Sequence, residues 1–141
     1  WISTTFGGET LSLAASLATI TELEKEDHFL ITKKLGQALF DGWKEQLERY
    51  RNVRAKIHLI DSMPSMLFDS DAKHQEDIFI REMLKQGFLV RRKHYWFISS
   101  KHTKQDIEEA LSACERAFNA IESAAFPSVK IRDKKSDGLQ A

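Results

Sequence analysis

An apolar stripe near the carboxyl end constrains the fold of this chain more than any other feature of its sequence. The stripe steps by three and four residues, the spacing that places side chains on one face of an α-helix. Its members are Ile107, Leu111, Cys114, Phe118 and Ile121. Thr103 and Asp106 precede it at the spacing of a capping box, which starts a helix. The sequence therefore predicts a capped amphipathic helix whose apolar face needs a partner surface.

Two further helices are predicted in the first half of the chain. Thr10 can cap the first, which carries apolar residues at helical spacing. These residues are Leu13, Leu17, Ile20 and Leu23. Asp27 can cap the second, a long amphipathic helix with the apolar residues Ile31, Leu35, Leu39, Trp43 and Leu47. Gly36 and Gly42 weaken this helix, and close packing against bulky neighbours would explain them.

Runs of branched and aromatic residues predict three short strands. The first contains Ile57, Leu59 and Ile60, the second is SMLF at residues 65–68, and the third is centred on HYWFI at residues 94–98. A helix over residues 72–86 is predicted between the last two strands. Its start can be capped from the polar segment 69–71. Its end is marked by Gly87, since glycine adopts the left-handed conformation that often closes a helix.

The order of these elements favours an α+β fold. Helices packed on one face of a small antiparallel or mixed three-stranded sheet would bury the apolar stripes most economically. With 141 residues and 42% hydrophobic residues, the chain is expected to form one domain without disulfides or metals.

The charge balance and the composition exclude several classes of partner. The 21 basic and 21 acidic residues cancel, so we expect neither nucleic acid nor an anionic membrane as a partner. No apolar run reaches the roughly 20 residues that a membrane-spanning helix needs. The single cysteine, Cys114, suits a reducing compartment, and cytoplasm is the expected location.

Reactive side chains give little sign of a metal centre or a nucleophile. The five histidines are scattered over different predicted elements, without the spacing of metal ligands. They are His28, His58, His74, His94 and His102. Cys114 lies on an apolar stripe and is expected to be a small core residue. The basic run 91–93 beside the aromatic residues 95–97 is expected to combine solvated cations with core aromatics, or to mark where a further domain docks.

The segment TTFGGET at residues 4–10 has the composition of an anion site. Thr4 and Thr5 carry hydroxyls, Gly7 and Gly8 allow close backbone approach, and a predicted helix follows at once. The free amides and positive end of a helix favour a phosphate. Spacing alone leaves the ordinary alternative of a simple helix cap open.

Two segments at opposite ends of the chain resemble one known family. TFGGET followed by LSLAASLATITELEKED is similar to a loop and helix of class III pyridoxal-phosphate-dependent aminotransferases, in particular the glutamate-1-semialdehyde 2,1-aminomutase-like branch. FISSKHTKQDIEEAL is similar to that family's strand, serine stretch and H-T-x-x-D-I helix start. The resemblance is to the carboxy-terminal small domain of a fold-type I enzyme. It implies a domain over residues 1–126, with residues 1–10 as the cofactor-phosphate loop, and a polar tail over residues 127–141.

The resemblance also implies roles for individual residues. Thr5 would bind the phosphate of pyridoxal phosphate across the interface of a homodimer, and Gly7 and Gly8 would shape the turn. The Schiff-base lysine and the aspartate that holds the pyridine nitrogen would lie upstream, in a missing large domain. The lysines present are expected to be solvated surface residues, among them Lys33, Lys34 and Lys44. The chain alone is therefore expected to be inactive, as one part of an enzyme that moves an amino group between a small-molecule donor and acceptor.

Two departures from the family pattern leave the substrate open. Glu9 and Thr10 stand where the family more commonly has Asn-Pro, and Trp96 stands near a strand arginine that grips a substrate carboxylate in many members. The start at Trp1, without an initiator methionine, suggests an excised piece. The alternative is a free-standing α+β protein-interaction module without a cofactor.

Overall fold

A computed structural model describes residues 7–25, 27–60 and 62–125. These residues form α1 (Thr10–Leu23), α2 (His28–Arg49), β1 (Ala55–His58), β2 (Ser65–Phe68), α3 (Lys73–Lys85) and α4 (Lys104–Ala125). The predicted tail at residues 127–141 lies outside the described residues. Within the described part, no helix is both long and apolar enough to cross a membrane.

The predicted carboxyl-terminal helix is confirmed as α4, and its cap has the expected geometry. The Thr103 amide donates to the Asp106 carboxylate at 2.6 Å, and the Asp106 amide donates to Thr103 Oγ1 at 3.2 Å. This reciprocal pair satisfies backbone donors that the first turn cannot satisfy itself. The apolar stripe is buried except at Leu111, which is half-buried. α4 therefore forms the central helix of the core.

The second predicted helix is confirmed as α2, with Asp27 as its cap. The Asp27 side chain accepts a hydrogen bond from the Leu30 amide at 3.0 Å. Leu39 and Trp43 are fully buried on the face that packs against α4. Gly42 lies on the same contact, which confirms the prediction that close packing explains a glycine there.

Aromatic rings join the hairpin to the helices at the centre of the core. Phe79 of α3 stacks on Phe118 of α4 at 5.6 Å, and Phe68 of β2 packs on Phe79 at 5.4 Å. Tyr50, just after α2, packs on Phe118 at 5.7 Å. Each ring contact removes apolar surface from water, the main source of stability in such a core.

The predicted three-stranded sheet is reduced to a two-stranded antiparallel hairpin in the described residues. β1 pairs with β2 from Ala55 opposite Phe68 to His58 opposite Ser65. The third predicted strand is replaced by one isolated bridge between Ser65 and Tyr95.

The neighbouring hydrogen bonds explain why the third strand does not form. The amides of Trp96 and Ile98 donate to the carbonyls of Pro64 and Ser62, at 2.8 and 2.9 Å. Because Pro64 has no amide hydrogen, it cannot return a bond to residues 96–98. The ladder stops after a single bridge.

α3 confirms the predicted helix and its glycine end, whereas its predicted cap is wrong. No side chain caps the helix at Ala72. Asp69 and Asp71 instead bind the guanidinium of Arg54, at 3.2 and 2.7 Å. Because both carboxylates bind Arg54, they do not cap the start of α3. At the other end, Gly87 has a φ of 86°.

The end of α3 is a Schellman motif. The Phe88 amide donates to the Met83 carbonyl and the Gly87 amide donates to the Leu84 carbonyl, both at 3.0 Å. This pair of bonds needs a left-handed residue at Gly87. The sequence prediction for this boundary is confirmed in detail.

Candidate functional site

The candidate cofactor-phosphate loop lies at the amino end of the described residues. Gly7 and Gly8 form an exposed turn directly before α1. An added Cβ on Gly8 would have no atom within 4 Å, so the backbone here is open to a ligand. Thr5, the third predicted member of the site, lies outside the described residues.

Glu9 caps α1, and the prediction that Thr10 does so is wrong. The Glu9 carboxylate accepts hydrogen bonds from the Leu11 amide at 2.9 Å and the Ser12 amide at 2.6 Å. Thr10 is the first residue of the helix itself. A carboxylate can take two donors at once and also faces the positive helix end, which explains why Glu9 displaces the hydroxyl of Thr10.

This cap changes how the loop can hold an anion. Hydrogen bonds from Ser12 and Leu11 hold the pKa of the Glu9 carboxyl below its ordinary value, so it remains ionised. The amides of Leu11 and Ser12 are already bound and are not the free donors that the sequence suggested. Sequence reasoning missed this role because Ser, Thr, Asp and Asn are the commoner caps.

α1 carries no buried residue in the described structure. Its exposed apolar residues are Leu11, Leu13, Leu17, Ile20 and Leu23. The predicted helix is confirmed, and its apolar side chains are exposed in the described structure. A helix that is apolar on most sides is normally covered by protein.

Three hydroxyls of α1 are satisfied within the helix. Ser16, Thr19 and Thr21 each donate to the carbonyl four residues earlier, at 2.8 Å. Such hydroxyls need no water or outside partner. These three side chains are therefore compatible with burial against another protein surface.

The motif at the carboxyl end is structural rather than chemical. His102 Nδ1 accepts from the Ser99 amide at 3.0 Å and closes a turn. Thr103 and Asp106 form the helix cap, and Ile107 is buried in the core. The segment from Ser99 to Ile107 thus positions the start of α4.

An apolar groove of about 580 Å³ lies between residues 88–98 and the helices α2 and α4. Trp96 is half-buried there, with its ring edge-on to Trp43 at 4.8 Å. Tyr95 and Phe97 alternate with it and remain exposed. The prediction of core aromatics beside solvated cations is therefore confirmed for Trp96 and wrong for Tyr95 and Phe97. The Trp96 ring cannot replace an arginine as the partner of a carboxylate.

The basic run beside these aromatics is partly neutralised. Arg92 binds Glu76 at 2.9 Å and also pairs with Asp77. Arg91 lies exposed at the rim of the groove. Of the three cations in this run, Arg92 is therefore held in ion pairs with acidic residues of α3.

The remaining reactive groups do not form a catalytic cluster in the described residues. No group of three or more potential metal ligands comes together there. Cys114 is fully buried, and burial raises its pKa to about 12, as expected for a core thiol. Lys33, Lys34 and Lys44 are exposed, as the sequence predicted.

Comparisons of sequence and of structure each find known proteins that this chain resembles. No protein-family model matches the chain. The chain is 30% identical to glutamate-1-semialdehyde 2,1-aminomutase from Limosilactobacillus reuteri over an alignment of 129 residues. This alignment covers 82% of this chain and 30% of the aminomutase. The fold of this chain is similar to that of the FumI protein of Sphingopyxis sp. MTA144, solved in a PLP internal aldimine form. The TM-score is 0.76 at 26% identity, over 89% of this chain and 30% of that one. The chain thus spans less than a third of either relative.

Proposed function

Because this chain is a class III pyridoxal-phosphate-dependent aminotransferase-like carboxy-terminal domain, we propose that it works as one part of a longer enzyme. That enzyme would transfer an amino group between small molecules or move it within one molecule. The observation that carries the proposal is the agreement of sequence and fold similarity over more than four fifths of the chain. The alternative of a free-standing interaction module explains neither similarity.

Pyridoxal phosphate, when bound, supplies an electron sink that stabilises negative charge at the reacting carbon of the substrate. This chain would contribute to binding and orientation. Thr5 would donate its hydroxyl to the phosphate, while the exposed turn at Gly7 and Gly8, with open space around Gly8, fits the close approach that a phosphate needs. A fixed phosphate fixes the position of the coenzyme ring, which is a matter of geometry rather than of bond making.

We assign the reactive lysine to a part of the enzyme outside residues 1–141. Lys34 and Lys44 lie exposed on α2, away from the loop in sequence. A lysine that forms a Schiff base needs an enclosed, precisely oriented site. The chain on its own would then not catalyse amino transfer.

The exposed apolar surface of α1 supports the proposal that another large protein surface covers this helix next to the loop. Its exposed leucines and self-satisfied hydroxyls suit burial by the remaining 70% of a protein of the relatives' length, or by a second subunit. Burying each leucine would contribute roughly 1.5–3 kcal/mol. We propose a homodimer in which this helix lies close to the subunit contact and the loop reaches the partner's coenzyme.

Substitution of Thr5 in the full-length enzyme tests the proposal. Thr5→Ala removes one charge-assisted hydrogen bond, worth about 1.5–3 kcal/mol, and should weaken coenzyme affinity by roughly 10- to 150-fold. Thr19→Ala is the matched control, because Thr19 lies outside the loop and its hydroxyl donates to the Ala15 carbonyl of its own helix. Equilibrium titration of the apoenzyme with pyridoxal phosphate gives both values. Equal affinity in the wild type and the Thr5 variant would exclude Thr5 from the phosphate site.

A further inference from the structure

The segment of residues 88–98 has apolar side chains on both of its faces. The inner face packs against the core through Phe88, Val90, Trp96 and Ile98. The outer face carries Leu89, Tyr95 and Phe97, which are 90%, 46% and 62% exposed. Successive side chains of an extended segment point to opposite sides, and a segment that is apolar on both sides is typical of one covered on both sides. In the described residues, the core covers only the inner side.

The turn between the two apolar stretches of this segment is tied to α3. Arg92 binds the buried Glu76 carboxylate at 2.9 Å and also pairs with Asp77. Lys93 has a φ of 49°, a left-handed conformation that residues other than glycine rarely adopt. Because the ion pairs hold this turn in place, the outer apolar side chains are already positioned before a partner surface arrives. The outer face is therefore a preformed surface.

The size of the outer face suits a domain of the same polypeptide better than a separate molecule. Large side chains bury about 150–250 Å² each, so the three exposed ones offer roughly 300–450 Å². A stable complex of separate proteins needs about 800 Å² on each partner. Domains of one chain share interfaces of about 600–1,500 Å² in total, because their covalent link keeps them at a high effective concentration.

We propose that Leu89, Tyr95 and Phe97 form the surface on which the large, lysine-bearing domain of the same polypeptide docks. This inference rests on the proposed function, which makes this chain one part of a longer enzyme. Most of a protein of the relatives' length lies outside the aligned part, which leaves ample chain for such a domain. The adjacent groove of about 580 Å³ would receive apolar side chains of that domain.

Photo-crosslinking in the full-length enzyme identifies what covers this face. With p-benzoylphenylalanine in place of Phe97, irradiation should join residue 97 to a peptide outside residues 1–141 of the same polypeptide. The product should therefore keep the mass of one polypeptide on a denaturing gel, and peptide mapping should locate the link.

Thiol labelling measures the coverage independently. In the folded full-length enzyme, Leu89→Cys should react with a maleimide at least about tenfold more slowly than Lys56→Cys, because its thiol would lie under the large domain. Lys56 is the matched control, since its side chain is 75% exposed on β1. Each rate is read from the peptide that carries the new cysteine, which separates it from the buried Cys114.

A crosslink from residue 97 to a second polypeptide would overturn the inference in favour of a contact between subunits. Equal labelling rates at residues 89 and 56 would also overturn it, because this face would then be open to solvent. Titration of the same enzyme with pyridoxal phosphate reports separately on the proposed function. An open face in an enzyme that binds the coenzyme would remove only the docking surface. A covered face in a protein that does not bind it would overturn the proposed function while the docking surface stands.

Discussion

Gly42 of α2 and Leu111 of α4 are in such close contact that a Cβ atom on Gly42 would lie 2.5 Å from both methyl carbons of Leu111. Gly42→Ala would gain helix propensity of about 1 kcal/mol, but it would force the half-buried Leu111 side chain to move. We expect a net loss of stability of about 1 kcal/mol, measured by chemical denaturation of this chain.

The contact between these two helices can be isolated with a double-mutant cycle. In a Leu111→Ala background the clash is absent, so Gly42→Ala should become neutral or stabilising. Additive effects of the two substitutions would show that the close approach does not limit residue 42.

Gly87 ends α3 with a φ of 86°, a conformation in which a side chain is strained. Nothing lies within 4 Å of an added Cβ there, so the cost of Gly87→Ala is conformational rather than steric. We expect a loss of roughly 1–2 kcal/mol in the free energy of unfolding. Gly8→Ala is the control, because it also meets open space and should change stability by less than about 0.5 kcal/mol. Equal effects at the two glycines would contradict the Schellman assignment.

The capping box of α4 should make stability depend on pH. Hydrogen bonds from Thr103 hold the pKa of the Asp106 carboxyl below its ordinary value of 3.8. The folded pKa is the lower one, so the contribution is complete above the ordinary value and is lost as the pH falls through the folded pKa. Asp106→Ala should therefore destabilise the chain near neutral pH, and this loss should shrink as the pH falls below 3.8. A difference in unfolding free energy that is constant over this range would refute the role of the ionised cap.

The buried Cys114 thiol should make the stability of the chain fall as the pH rises, which is the opposite of the trend expected from Asp106. Burial raises its pKa from 9.0 to about 12, so the unfolded chain releases this proton first as the pH rises above 9. Wild-type stability should fall in that window relative to Cys114→Ala, which lacks the group. Thiol reagents should label the native protein only as fast as it opens. Rapid labelling under native conditions would show that Cys114 is not the inert core residue described above.

Local signals in the sequence predicted the parts of the fold that depend on local chemistry. The Thr103 and Asp106 cap and the turn at Gly87 need only neighbouring residues, and both are confirmed. The predicted third strand does not form, because Pro64, about 30 residues earlier, has no amide hydrogen to donate to it. Asp71 binds Arg54 instead of capping α3, and this too is a contact between segments that are distant in the chain.

The candidate site was predicted less completely than the fold. Gly7 and Gly8 lie in an exposed turn before a helix, and their role toward a phosphate stays a prediction. Glu9 was identified in the sequence only as a departure from the family pattern. Its bonds to Leu11 and Ser12 show that it organises the start of α1. A sequence pattern does not distinguish a carboxylate that faces its own helix from one that faces solvent.

We propose that residues 1–141 help to hold a coenzyme whose reactive lysine lies elsewhere in a longer protein. The most direct measurement is borohydride reduction of the full-length protein with pyridoxal phosphate, followed by peptide mapping of the modified lysine. We predict one stoichiometric pyridoxyl group on a lysine outside this chain. A stoichiometric label on Lys33, Lys34, Lys44 or any other lysine of residues 1–141, or no specific label at all, would contradict the account.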